Sequence, residues 1–471
     1  MLEKLLNDIL LPAEAFIWGW PMLILLLGVG IYLGFLLRWV QFFKLPQAIK
    51  RALPTKKNNH GDGDISHFEA LMTALSATVG TGNIAGVATA VVAGGPGAIF
   101  WMWMSGLLGM GTKYTEALLG VHFRIRNKRG ERDGGPMYYI RDGLNMPLMA
   151  SFFALAMIIG AFTVGNMIQS NSIVTGLHTA LAIPEETITK DAFMLGTGII
   201  IMMVAGIVML GGVKRIAHTA SAIVPFMILL YLAAGSFILI ENSDKLLGIL
   251  GTIFSEGILS VQALIGGAVG EMVRSGLSRG VFSNESGMGS APIAAAAAKT
   301  DHPVMQAKVS MTQTFIDTII VCTFTALIIL CTGLGSSGLN GAPLTTEAFT
   351  QGLGIQVAGY NLGGLVVALS LTFFAFSTII GWGLYGEKSV IFVFGERAVF
   401  AYRTIYVGVI LVGASLKLET VWSLGAIAVG LMVVPNVIAL FMLAPKARAL
   451  TKDYFKHQQD GKYEVKPFFH E

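Results

Sequence analysis

Residues 76–97 read SATVGTGNIAGVATAVVAGGPG. The stretch has 22 residues, no charge and six glycines. It is long enough to cross a bilayer. Its first half, however, crowds Ser, Thr, Asn and Gly, all poor helix formers. Leaving the helix inside hydrocarbon exposes N–H and C=O groups, each costing several kcal/mol when unsatisfied. A break there is tolerable only where the open groups meet protein, water or a ligand. Open N–H groups suit an anion such as a carboxylate, and open C=O groups suit a hard cation. Gly80 and Gly82 let the chain turn and let a ligand approach the backbone, while Thr81 and Asn83 add side-chain oxygens.

A second stretch repeats the pattern. Residues 80–96 align with 287–303 at a constant offset of 207, pairing Gly80 with Gly287, Gly82 with Gly289 and Pro96 with Pro303. Upstream, Ser76 meets Ser283. Each copy is G-x-G, then a small-residue helix, then Pro fourteen residues after the second Gly. Close helix packing of small residues competes with the broken-helix reading. The matched second copy favours the break.

The rest of the chain supplies the membrane. Hydrophobic residues are 54% of 471 and charged residues 13%, about half the charge of a soluble domain. Eleven apolar segments are long enough to span: 16–37, 67–93, 97–122, 147–180, 191–211, 217–241, 274–300, 303–334, 359–386, 399–418 and 419–444. Residues 245–265 read as a helix lying on the surface. With the N-terminus outside, 25 of the 32 Lys and Arg fall on the inner side, as the positive-inside rule requires. The clusters RIRNKRGER and PKARALTK read as inside loops, and the C-terminus as cytoplasmic. The first residues, MLEKLLNDILLP, are too polar for a cleaved leader.

Segment two then runs inside to outside and segment seven outside to inside, so the two copies are inverted. The expectation is an all-α polytopic protein in one membrane domain. Residues 16–37 form an extra helix, 67–241 a first five-helix repeat, 274–444 an inverted second repeat, and 445–471 a cytoplasmic tail. Transporters built this way hold their site at the midplane, between discontinuous helices. The net charge of +4 points to no nucleic-acid partner. No His falls on a metal-ligand spacing, and no catalytic dyad or P-loop fits the topology, so neither an enzyme nor an ATP-driven pump is expected. A channel would carry its symmetry among subunits rather than within one chain. Cys322 and Cys331, nine residues apart in one helix, sit about 13 Å apart, too far for a disulfide.

Charges inside spans are functional candidates by default. Lys113 and Glu116 are three apart and pair on one face, as a structural couple or as a gate. Glu285 stands at the second break, either as an ion- or proton-linked group or as a cap partner of Arg274 or Arg279. Asp317 is a similar candidate. Gln169 and Asn171 are polar positions in an apolar run, either lining a cavity or joining helices.

The stretches GTGNIAGVATAVVAGGPGAIFWMWM (80–104) and SNESGMGSAPIAAAAA (283–298) resemble the alanine/glycine:cation symporters, also called sodium:alanine symporters. The resemblance covers nearly the whole chain. It implies the leucine-transporter type of fold and uptake of alanine or glycine with Na⁺, or H⁺ in some members, across the cell membrane. It implies no cofactor and leaves the oligomeric state open. By the same resemblance, Thr81 and Gly82 hold the substrate carboxylate on backbone N–H groups. Ser76, Val79, Ser377 and Thr378 hold Na⁺, unless the two hydroxyls only bond back to their own helix. Asn83 serves substrate or cation, and Asn284, Ser286 and Gly287 face the same cavity. Beside these, Gln169 is a candidate to touch substrate or to join helices, and Phe376 or Trp382 a candidate to close the pocket over a methyl side chain unless the aromatics only pack.

Overall fold

Ser66 starts the helix that decides the fold. Its side chain accepts from the Glu69 N–H (3.1 Å) while Glu69 Oε2 accepts from the Ser66 N–H (2.8 Å). This reciprocal cap is worth about 1 kcal/mol. The structure, a computed structural model, describes residues 6–54, 61–184, 187–262, 267–415 and 419–459.

The first long helix is α1 (Trp20–Leu36). The capped helix, α2 (His67–Thr78), ends where Val79 turns extended (φ −75°, ψ 95°). The chain resumes as a wide turn over Gly82–Gly86 and then α3 (Val87–Gly94). The two halves are bent by 53° at this break. Pro96 then caps α4 (Gly97–His122). The fourth expected span is one continuous rod, α5 (Pro147–Phe162), a wide turn Thr163–Met167, and α6 (Ile168–Ala180). α7 (Thr187–Leu210), α8 (Gly212–Glu241) and α9 (Ser243–Gln262) follow.

The second broken helix is α10 (Gly267–Asn284) and α11 (Ala291–Ala296). Beyond it come α12 (Pro303–Thr314), a wide turn Phe315–Cys322, α13 (Thr323–Thr332), α14 (Gly341–Leu353), α15 (Leu362–Phe394), α16 (Val399–Ser415) and α17 (Glu419–Gln459). Two-residue hairpins at 125–133 and 356–361 are the strands among the described residues.

The broken helices pack crosswise. α3 lies on α10, and α2 lies on α11. Elsewhere α4 packs on α12, α5 and α6 on α15, and α7 on α16. α2 is held between α8 and α15.

Among the described residues, eight helices are long and apolar enough to cross a membrane, or nine with the bent pair α2–α3. Two of the eleven expected segments are missing from that set. One is α4, which carries Lys113 and Glu116 in a buried stretch. The other is α10–α11, which is interrupted. Both lie among other helices rather than against lipid, so their polarity costs little. Residues 245–265 do form a helix outside the spanning set as far as Gln262, and 263–265 lie outside the described residues. The expected tail at 445 is not where α17 ends. The helix runs on through Pro435 and Pro445 to Gln459, and 460–471 lie outside the described residues.

Candidate functional site

The first break is built from short side chains. The Gly80 N–H donates to Asn83 Oδ1 (2.9 Å), closing the turn. Asn83 Nδ2 then donates to Asp317 Oδ1 (2.7 Å), tying the break to the wide turn after α12. Asp317 Oδ2 accepts from Ser283 Oγ (3.0 Å) and Thr318 Oγ1 (2.9 Å). Asn83 is therefore saturated by protein partners. Gly80 and Gly82 keep ordinary φ values, and what they supply is room. A Cβ on Gly80 would stand 2.7 Å from Thr378 Oγ1, and one on Gly82 3.2 Å from Ser283 Cα. The two breaks meet at that second contact.

α15 crosses behind the first break. Ser377 Oγ lies 3.2 Å from the Ser76 carbonyl oxygen and also reaches Phe374 O (2.9 Å). Thr378 Oγ1 donates to Phe374 O (3.0 Å), and Ser76 Oγ to Thr73 O (2.8 Å). The back-bonding that was the alternative to ion binding is present. A hydroxyl that donates to its helix still keeps lone pairs. Hydroxyl and carbonyl oxygens from two helices thus approach one another at Ser76 and Ser377, with Thr378 Oγ1 against Gly80. Val79, at the extended turn, is fully buried.

Gln169 closes the other side. Its Nε2 donates to Thr81 Oγ1 (3.3 Å) and Val164 O (3.1 Å). Its Oε1 is buried and has no hydrogen-bond partner among the described residues. An unsatisfied buried acceptor costs about 1–3 kcal/mol. Asn171, by contrast, joins helices by donating to Gly413 O (3.1 Å).

A cavity of about 350 Å³ reaches Thr81. Its polar wall is a stripe on α6, Ser172, Thr175 and Thr179, facing Thr346 and Glu347 of α14. Gly364 at the start of α15 lines it too. The opposite end of α15 is sealed. Lys388 Nζ donates to Asp133 Oδ1 (2.7 Å) and Glu131 Oε2 (2.8 Å). Gly364 and Lys388 are about 36 Å apart along the helix. At the sealed end Asp62 bridges Thr300, Ile65 bridges Ala298, and Arg124 donates to Ala296 O, Ala298 O and Asp62 O (2.9, 2.8 and 2.6 Å). Burial pushes the Arg124 guanidinium down to about 10 against the pull of Asp62.

The second break corrects several expectations. Glu285 does not pair with Arg274, whose partner is Glu271 (2.8 Å). Its carboxylate accepts from Trp382 Nε1 (3.0 Å) and from Ser290 Oγ. Trp382 is therefore a strut rather than a lid over the cavity, packed flush against Gly160 and Gly165. Asn284 Nδ2 donates to Thr318 Oγ1 (3.1 Å), and Ser286 Oγ meets Thr314 Oγ1 (3.2 Å). The Gly287 carbonyl accepts from Asn436 Nδ2 (2.8 Å). These three residues do not line the cavity at Thr81. Their groups are turned to α12, the wide turn after it and α17. Phe376 is half-buried in the main apolar cluster and does not line the cavity either.

Lys113 and Glu116 do pair, at 3.8 Å, both buried. Glu116 Oε1 also accepts from the Gly289 N–H (3.0 Å) and Asn436 Nδ2 (2.7 Å). Asn436 escaped notice in the sequence, although a lone Asn after Pro435 in an apolar run was its signal. The Ser172–Thr175–Thr179 stripe, at helical spacing, was legible in the same way. Both cysteines are buried and free.

A family model described as the sodium:alanine symporter family matches residues 3–468. The chain belongs to the sodium:alanine symporter family. It is a multi-pass membrane transporter, not an enzyme. It is 46% identical over 465 residues to an uncharacterized transporter of Haemophilus influenzae, covering 98% of each chain. It is 44% identical over 449 residues to the sodium/alanine symporter AgcS of Methanococcus maripaludis, covering 94% of this chain and 95% of that one. Identity to the probable sodium/glutamine symporter GlnT of Bacillus subtilis is 35% over 463 residues, 98% of this chain and 93% of that one. Among solved structures, MhsT in complex with L-phenylalanine matches with a TM-score of 0.55 at 13% identity, over 83% of this chain and 99% of that one. This likeness carries the leucine-transporter type of fold.

Proposed function

We propose that this symporter takes up a small neutral amino acid, alanine or glycine, together with Na⁺ by alternating access. The observation that carries the reading is Thr81, which lines the cavity and accepts from Gln169 behind it. Of the amides at the break, Val79 N–H donates to Leu75 O and Gly80 N–H to Asn83. Thr81 and Gly82 are the amides assigned to the substrate carboxylate. The open Oε1 of Gln169, beside Gly80, is the acceptor assigned to the ammonium. Na⁺ is assigned to the oxygens of Ser76, Val79, Ser377 and Thr378, hard ligands that suit it. The ion then bridges α2 and α15 next to the carboxylate site, so ion and substrate favour the same arrangement.

Eleven spans complete the reading, with α4 and α10–α11 crossing inside the protein, and 67–241 and 274–444 as inverted five-helix repeats. The reciprocal packing of α2 with α11 and of α3 with α10 supports this inversion. The sealed end, rich in Arg and Lys, is the cytoplasmic one. The cavity then opens outside, and the N-terminus lies outside. Preference for alanine rests on the 44% relative named for it.

The test is alanine uptake into proteoliposomes with and without an inward Na⁺ gradient. Accumulation should need the gradient, and Gln169→Leu should abolish it while the protein stays folded. Uptake indifferent to Na⁺ that follows a pH gradient would overturn the ion assignment. That outcome would favour H⁺ coupling through Asp317, a buried carboxylate whose described partners are all neutral donors.

A further inference from the structure

A second cavity, of about 500 Å³, lies where the C-terminal end of α1 meets α17, the ends that the proposed orientation places in the cytoplasm. Five cations line it: Arg38, Lys44, Arg448, Lys452 and Lys456. No carboxylate lines it, and none of the five has an ion pair among the described residues. Three of them, Arg448, Lys452 and Lys456, follow one another at i, i+4 and i+8 on a single face of α17. Like charges at that spacing repel. Asp453, on the same helix, is turned to His457 instead (3.3 Å).

The backbone aims a fourth cation at the same place. After α1 the chain turns through left-handed Arg38 and Trp39 (φ 56° and 54°), with the Trp39 N–H returned to Gly34 O (2.7 Å). Non-glycine residues rarely hold this conformation. Trp39 rests on Gly34, and Arg38 is left exposed at the mouth. Lys44 stands over the Phe455 ring, 5.0 Å from its centroid.

The upper wall is apolar. Phe43 is 75% exposed at the rim. Above it α1 and α17 present Phe35, Phe441 and Met442, 67, 57 and 49% exposed. A bilayer covers such residues with acyl chains. Arg38 sits about one helical turn below this acyl-chain lane, and Arg448 and Lys452 follow Met442 by about two to three turns of α17, reaching down through the headgroup layer.

We propose that this cavity binds the phosphodiester headgroup of an anionic phospholipid of the inner leaflet, with its acyl chains along Phe35, Phe441 and Met442. Charge complementarity selects the anion, and the adjoining apolar lane selects a lipid over a free phosphate. The segment PKARALTK is then half of a lipid site rather than an inside loop.

The test uses the full-length protein purified in mild detergent, followed by native mass spectrometry. Phosphatidylglycerol and phosphatidylcholine with the same acyl chains are offered together. Phosphatidylglycerol adducts should exceed phosphatidylcholine adducts about tenfold or more. The triple variant Arg38→Gln, Arg448→Gln, Lys452→Gln should lose that preference. The control Arg126→Gln, Lys128→Gln, in the exposed 125–133 hairpin, should keep it. Equal retention of both lipids by the wild-type chain overturns the proposal without recourse to any variant. So does a triple variant that keeps the preference. Displacement of phosphatidylglycerol by excess inorganic phosphate would make this a free-anion site and overturn the lipid assignment.

Discussion

The two breaks carry the same glycine pair and use it differently. At the first, Gly80 and Gly82 have ordinary φ values and serve by lacking a side chain, so that Thr378 and Ser283 can come close. At the second, Gly287 and Gly289 are left-handed (φ 87° and 78°), as is Glu285 (φ 56°). The first break is short and borders a cavity. The second is longer, and the protein fills it with its own groups: Glu116, Asn436, Trp382 and Ser290. An interrupted helix needs partners for its open backbone, but they need not be ligands. A motif can be repeated by sequence while only one copy meets the cavity.

The second break is most sensitive at Glu116. Glu116→Ala strips the partner from buried Lys113 and should cost about 3–5 kcal/mol. The expected result is collapse of the monodisperse peak in size-exclusion chromatography and a large fall in melting temperature. Adding Lys113→Met should recover part of the loss. A stable single variant would mean that the second break does not depend on this pair. Next in size, Gly289→Ala should cost about 2–4 kcal/mol, from left-handed strain and a clash 2.6 Å from Pro136. Gly80→Ala should differ in kind. Its clash is with Thr378 Oγ1, so adding Thr378→Ala should restore thermal stability without restoring transport. Rescue of Gly289→Ala by any neighbouring truncation would erase the distinction between the two breaks.

Smaller effects sharpen the first break. Ser377→Ala should shift stability by about 1 kcal/mol or less. It should still raise the Na⁺ concentration for half-maximal uptake by about tenfold, the loss of one hard ligand. Thr81→Val should be the mildest in stability and should raise KM for alanine with Na⁺ dependence unchanged. An unchanged KM would remove Thr81 from the substrate site.

Legibility followed the range of the interaction. The break at SATVGTGN, its copy at SNESGMGS, the Lys113–Glu116 pair and the back-bonded hydroxyls of α15 all rest on residues close in sequence or on an exact offset. Trp382 was expected as a lid, because an aromatic in a span can cap a pocket. It instead reaches Glu285, 97 positions away. Ser286 and Gly287 were expected at the substrate, yet they face Thr314 and Asn436. Nothing local in these residues states which way the second break is turned. The helical continuation through Pro445 was equally hidden, since Pro normally argues for an end.

Composition, apolar length and the placement of Lys and Arg were enough to establish a polytopic membrane protein, because hydrocarbon tolerates neither open backbone nor free charge. The glycine-rich interruptions, 207 residues apart, located both helix breaks, since a helix stops where its residues favour stopping. The tertiary structure alone decided which break borders the cavity, which end of the bundle is sealed, and which charges distant in sequence meet, as Lys388 meets Asp133. Those outcomes depend on side chains brought together from distant helices, and packing rather than local propensity chooses their partners.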